Sequence, residues 1–255
     1  MPSNHKSAGI HIAGANSSKT SIVIMQMTST QKYKITDIHQ HLGPRSYLSS
    51  DDRIEHILQH PTVIKDVVID APLSLPPCVR CVRSICPGFI HCDDTAIACL
   101  LKIDKERKRK TLCNPQTHRL WDIYKPDIIT DHSSRSSLVT RSLTLQKRLR
   151  VSNIELKETS VPDTLKILDP HTPYNSYKHF EKGSFFRKKY LDKLQKWIIY
   201  SNNDREKLND LEVFQAFICS WIAAMSFHKS TQEKPIFFPK EESFPQLPLT
   251  HLNSL

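Results

Sequence analysis

Asp70 closes the apolar half of the run Val67–Pro77, VVIDAPLSLPP, and four cysteines follow at once: Cys78, Cys81, Cys86 and Cys92. A carboxylate leaving an apolar strand stands at the carboxyl edge of a sheet, where α/β folds place ligands and reacting groups. There it can hold a divalent cation. The Asp-Ala-Pro sequence equally suits a turn cap, since such segments favour extended or turn geometry; both readings stand. The spacing Cys-x2-Cys-x4-Cys-x5-Cys can wrap a tetrahedral ion, and Zn²⁺ is the commonest structural choice. Cys86-Pro87 also suggests an iron–sulfur cluster, although the ferredoxin spacing is not met. Unmetallated thiols are the third reading, and His91 is an alternative ligand. Cys99, Cys113 and Cys219 read as ordinary buried or half-buried cysteines.

These groups require elements to carry them. Gly9–Gln26 reads as two strands around the polar turn Asn16–Lys19, with a third strand at Tyr33–Ile38. Ile54, Ile57 and Leu58 predict a short helix over Asp51–His60. Val63–Ile69 is a strand of near-continuous apolar character, the pattern of one covered on both faces. Ser136–Arg150 predicts an amphipathic helix with Leu138, Leu145 and Leu149 inside and Arg141, Lys147 and Arg148 outside. A short strand follows at Asn153–Leu156, then a basic helix over Gly183–Tyr200 with Trp197 inward. Asp210–Phe227 is the most apolar helix, and Ile236–Phe238 predicts a last strand before a proline-bearing tail.

The chain has 255 residues, 38% hydrophobic and 24% charged, with a net charge of +10. That length holds one sizeable core, or one core with an appended module. The charge favours anionic partners, nucleic acid first and an anionic membrane surface second; a merely basic solvated surface is the plainer reading. No apolar run is long enough to span a membrane, and the first residues lack a signal-peptide pattern. Seven cysteines, an odd number, favour a reduced compartment and metal over a disulfide framework, so cytoplasm is the expected location. Five glycines write neither a GxGxxG nor a Walker loop, and no GxSxG elbow occurs.

The landmarks GIHIAG, VVIDAPLSLP, CVRCVRSICPG, NPQTHR, IEL and VFQAFICSWIAA together resemble a poorly characterised group of predicted nucleases with the RNase H-like fold, the superfamily of the RuvC-type resolvases. The resemblance covers about Gly9 to Pro239. It implies an α/β domain, a mixed sheet flanked by helices, over 9–239, with a Cys-rich and basic insert at 78–113 and tails at 1–8 and 240–255. It also implies that acidic residues arrive from the first strand, a central strand and the final helix to hold Mg²⁺ or Mn²⁺ for phosphodiester cleavage.

On that pattern the first-strand position is His11 where an Asp is usual. The central strand supplies Asp70. The final helix keeps a carboxylate at Glu212 and has the neutral Gln215 where a second would stand. Glu155 is a further acidic candidate. Such a set carries less negative charge than the usual one and implies weak Mg²⁺ binding; the imidazole of His11 suits Mn²⁺ or Zn²⁺ better. Thr117, Arg119 and Arg141 are candidate phosphate contacts. Each has a plainer reading: His11 as a core histidine, Glu212 and Gln215 as solvent-facing residues of a first helical turn, Glu155 as part of an exposed charged turn. Two functions follow, a metal-dependent nuclease with a reduced site or a non-catalytic nucleic-acid-binding protein that keeps the fold.

Overall fold

The computed structural model describes residues 5–30, 32–62, 64, 66–107, 132–173 and 175–227, with backbone alone at 103–107, 132–137 and 227. Thr117, Arg119, Cys113, the basic run 108–110 and the expected strand at 236–238 lie outside the described residues.

Strand β1 (Lys6–His11) turns at Ala13–Lys19 into the antiparallel β2 (Ser21–Met27), which pairs in turn with β3 (Tyr33–His39). The first turn is closed by Ser17 N–H donating to the Gly14 carbonyl at 2.9 Å. Helix α1 (Ser50–Gln59) begins on a reciprocal cap, in which the Ser49 hydroxyl accepts from the Asp52 amide and the Asp52 carboxylate accepts from the Ser49 amide. β4 (Asp66–Ile69) then lies parallel beside β1. After it come the one-turn α2 (Pro77–Arg80), a 3₁₀ turn at Phe89–His91 and α3 (Thr95–Arg107). Helix α4 (His132–Val151) leads to β5 (Glu155–Glu158), parallel to β4. The remainder is α5 (Val161–Leu168), a 3₁₀ turn at Ser176–Lys178, α6 (Gly183–Leu194), β6 (Ile198–Ile199), α7 (Asn202–Lys207) and α8 (Leu211–Phe227).

The described strands form one mixed sheet in the order β5-β4-β1-β2-β3-β6. Alternation along each strand sends successive side chains to opposite faces. Ala8, Ile10, Ile22, Ile24, Val67 and Ile69 face α1 and α4, where Ile54, Leu58, Leu145 and Leu149 complete one core. Val23, Met25 and Val68 face α5, α6 and α8 and join Leu165, Leu191, Phe214 and Phe217 in the other. The expected α/β architecture, a mixed sheet flanked by helices, is thus present. The first strand starts at Lys6, so residues 6–8 belong to the domain and not to a tail.

Helix α8 lies across β1, β2 and β4. Its approach depends on Gly9: a Cβ there would meet Ser220 N at 2.0 Å and the Ala216 carbonyl oxygen at 2.1 Å, so the helix backbone rests on the strand backbone. Two boundaries differ from expectation. Asn153, in the left-handed region at φ 57°, ends α4, and Ile154 N–H turns back to the Leu149 carbonyl at 3.0 Å. The strand after it therefore starts at Glu155. The basic helix stops at Leu194 because the edge of β3 recruits the residues beyond it: Tyr33 N–H donates to the Trp197 carbonyl at 2.9 Å, and Trp197 stacks against Trp221.

Candidate functional site

His11 ends β1 and Asp70 follows β4. These strands are parallel neighbours with Ile10 opposite Ile69, and Asp70 N–H donates to the Ile10 carbonyl at 3.4 Å. By alternation both side chains fall on the face that α8 covers, since Gly9 and Val68, two residues earlier on each strand, pack there. The helix brings Gln215 to the same place. Its Nε2 donates to Asp70 Oδ2 at 3.5 Å, while the Val161 amide, in the first turn of α5, donates to Oδ1 at 3.3 Å. Three expected site residues, His11, Asp70 and Gln215, are thereby brought together.

Glu212 occupies the first turn of α8, one turn before Gln215, with Lys19 Nζ 3.9 Å from its Oε1. Asp210 starts that helix, its Oδ1 accepting from the Val213 amide at 3.0 Å. The His11 pKa is lowered, chiefly by burial; Asp70 and Asp210 pull it up, and Lys178 and Lys19 push it down. His11 is therefore a neutral imidazole near pH 7, with a buried Nδ1 that has no hydrogen-bond partner. Behind Asp70 lies Cys219, whose thiol is pushed well up by burial and by the Asp70 charge. It is a packed core thiol and no nucleophile.

Lys19 and Lys178 are cations that sequence reasoning did not assign to this site. Lys19 sits in the turn after His11, a visible signal. Lys178 comes from the 3₁₀ turn far along the chain, and only the fold delivers it. Arg187 holds that turn in place: its NH1 group donates to the Tyr177 carbonyl at 2.5 Å and its Nε to the Asn209 carbonyl at 2.7 Å. Gly183 leaves the room, since a Cβ there would meet the Tyr177 carbonyl oxygen at 2.7 Å.

Two expected site residues stand elsewhere. Glu155 pairs in register with Asp66, at the amino end of β4, with its side chain 60% exposed beside Lys157. The extra residues spent on ending α4 moved it to the opposite end of the sheet from Asp70. Glu158 holds the carboxyl end instead, where its Oε2 accepts from the Leu73 amide at 2.7 Å and fixes the turn after Asp70. Arg141 is buried, not a surface phosphate contact. Its Nε and NH2 groups donate to Asp51 Oδ1 at 2.9 and 2.6 Å, its NH2 also to the Ser50 hydroxyl at 2.7 Å, and its NH1 to the Ala13 and Gly14 carbonyls. It clamps the turn after His11 onto α1. Arg148 pairs with Asp52 and Glu55, and Lys189 with Asp169, so much of the expected basic surface is already neutralised.

Cys78, Cys81, Cys86 and Cys92 are free thiols, half-buried or exposed. Among the described residues no three His, Cys, Asp or Glu side chains are gathered closely enough to hold a metal ion, and no helix is long and apolar enough to cross a membrane. No protein-family model, curated protein or solved structure matches the chain.

Proposed function

We propose that this chain is an RNase H-like domain that engages nucleic-acid phosphodiesters at the carboxyl ends of β1 and β4, as a metal-dependent nuclease with a reduced carboxylate set. The observation that carries this reading is the meeting of Asp70, just past the end of β4, with Gln215, on the helix that crosses β1 and β4. It is the convergence of first strand, central strand and final helix that the resemblance leads one to expect. The net charge of +10, Lys19 beside Glu212 and Lys178, whose charge acts on His11, add the electrostatics a phosphate backbone needs.

Asp70 and Glu212 would hold a divalent ion only by drawing together around it, since among the described residues no three such side chains are gathered, and the free nitrogen of a neutral His11 favours Mn²⁺ over Mg²⁺ in such a set. A bound ion there supplies Lewis-acid polarisation of a phosphoryl oxygen and activates water. Lys19 and Lys178 would hold phosphate oxygens as point charges. Two carboxylates and one imidazole suit one ion better than the pair spaced about 3.5–4 Å in two-metal sites.

The second reading, a nucleic-acid-binding protein without catalysis, has its own support. Gln215 supplies a neutral amide to Asp70, and Lys19 draws on Glu212, so both carboxylates have protein partners. Labelled single- and double-stranded DNA and RNA, incubated with Mg²⁺ or Mn²⁺ and with Asp70→Ala as control, separate the two. Metal-dependent cleavage lost in D70A supports the nuclease. Binding without cleavage selects the second reading, and neither binding nor cleavage rejects both.

A further inference from the structure

The segment 78–95 has no buried residue, and Val79, Val82, Ile85 and Ile90 are 55%, 98%, 82% and 85% exposed. Ordering a chain costs about 1–2 kcal/mol per residue in backbone entropy, and apolar burial normally offsets it. Here it does not. A segment without a core keeps one shape only when something cross-links it, and in small modules that is a disulfide or a metal.

Four thiols lie within this segment at the spacing Cys-x2-Cys-x4-Cys-x5-Cys, and among the described residues no three of them are gathered before a metal binds. Helix α2 is a single turn that carries Cys78, and Cys81 follows it three residues on, where the chain turns extended. Arg80 pairs with Asp94 at 3.8 Å and Arg83 pairs with Asp93, which lays the α2 turn against the chain leaving Cys92. Exposed pairs of this kind contribute little energy; what they report is apposition. Cys86 lies on the loop between. Asp94 is committed to the amides of Ala96 and Ile97 at 2.8 and 3.3 Å, which leaves the thiols as the donor set.

We infer that Cys78, Cys81, Cys86 and Cys92 form a tetrathiolate Zn²⁺ site that folds this segment on binding. Four soft donors at these spacings match zinc in its closed, structural mode. Binding converts the thiols to thiolates and releases their protons to solvent. The resulting net negative charge would compete with Asp94 and Asp93 for Arg80 and Arg83. The site uses none of the residues of the Asp70 cluster, so its test is independent of the nuclease reading.

The test is metal analysis of full-length protein purified under reducing conditions, with cobalt substitution and the variants Cys81→Ser, Cys92→Ser and His91→Ala. About one zinc per chain, a cobalt spectrum of four-thiolate tetrahedral type, loss of zinc in C81S and C92S and retention in H91A are expected, with a melting point lowered by chelator. Circular dichroism confirms that the α/β core of each serine variant is folded. No zinc after reconstitution, iron in its place, or zinc that persists in both serine variants would overturn the assignment. So would a three-thiolate cobalt spectrum with metal lost in H91A.

Discussion

Gln215 donates its amide hydrogen to Asp70 across 3.5 Å, joining the second turn of α8 to the end of β4. A carboxylate at position 215 would face Asp70 with like charge, a pairing that only a cation between them relieves. On the proposed reading, the neutral amide would limit how strongly this site attracts metal.

The double change His11→Asp and Gln215→Asp is therefore expected to tighten Mg²⁺ binding. One added charge about 4 Å from an ion is worth about 4 kcal/mol at an effective dielectric of about 20, and a third of that is about tenfold in affinity. Titration calorimetry measures it. Adding Asp70→Asn should cancel the gain; an unchanged affinity in a folded double variant would show that these positions do not face one ion.

Nucleic-acid affinity should fall on Lys19→Gln and Lys178→Gln and hold steady on Arg141→Lys. Each lysine removed should flatten the salt dependence by about one unit of slope. Arg141 is buried in its clamp and offers no donor to an external phosphate. Fluorescence anisotropy over a salt series tests both halves, and equal losses in all three variants would count against the site.

Arg141→Ala should instead destabilise the fold by about 3–5 kcal/mol, because it strands Asp51 without its partner and frees the turn after His11. Urea denaturation reads this directly. A loss below about 1 kcal/mol would mean that the clamp is replaceable by water.

Acid should unfold the wild type earlier than His11→Gln. Burial lowers the folded His11 pKa below its ordinary 6.5. As pH falls through about 6.5 the unfolded chain takes up a proton that the folded one refuses, so stability rises with pH across that window. Removing the imidazole removes its part of the slope. Denaturation midpoints between about pH 5 and pH 8 should show a flatter profile in the variant, and parallel profiles would place His11 in water.

Gly9→Ala should cost about 1–3 kcal/mol or more, the range for forcing an atom into a packed core. Its Cβ would meet backbone of α8 at 2.0 Å, which no side-chain rotation relieves. Thermal melts give the readout, and an unaltered melting point would refute the close contact.

Much of the sheet was legible because its pattern is local. Val67–Ile69 is apolar without a break, as a strand covered on both faces must be, and Ile10 and Ile12, flanking His11, precede a polar turn at Asn16–Lys19 that dictates a hairpin. His11, Asp70 and Gln215 were legible as a set only through resemblance; spacing along the chain says nothing of their meeting. Glu155 was misplaced by two residues of helix ending at Asn153, enough to put it at the wrong end of the sheet. Arg141 was misread because a cation on an amphipathic helix normally faces water, and the half-buried Asp51 that reverses this lies 90 residues earlier. Lys178 left no trace in sequence, since a long-range approach has no local signature.

With no side chain between α8 and β1 at Gly9, the helix has no slack along the strand and no room to lift without opening a void. The floor of the site, on the helix and on the two strand ends, therefore moves as one rigid body. On the proposed reading, a ligand arriving there would not be grasped by a closing jaw. It would be met by the long, jointed side chains of Lys19 and Lys178 on their turns, so that adjustment to differing shapes of guest would belong to the arms and constancy of chemistry to the floor.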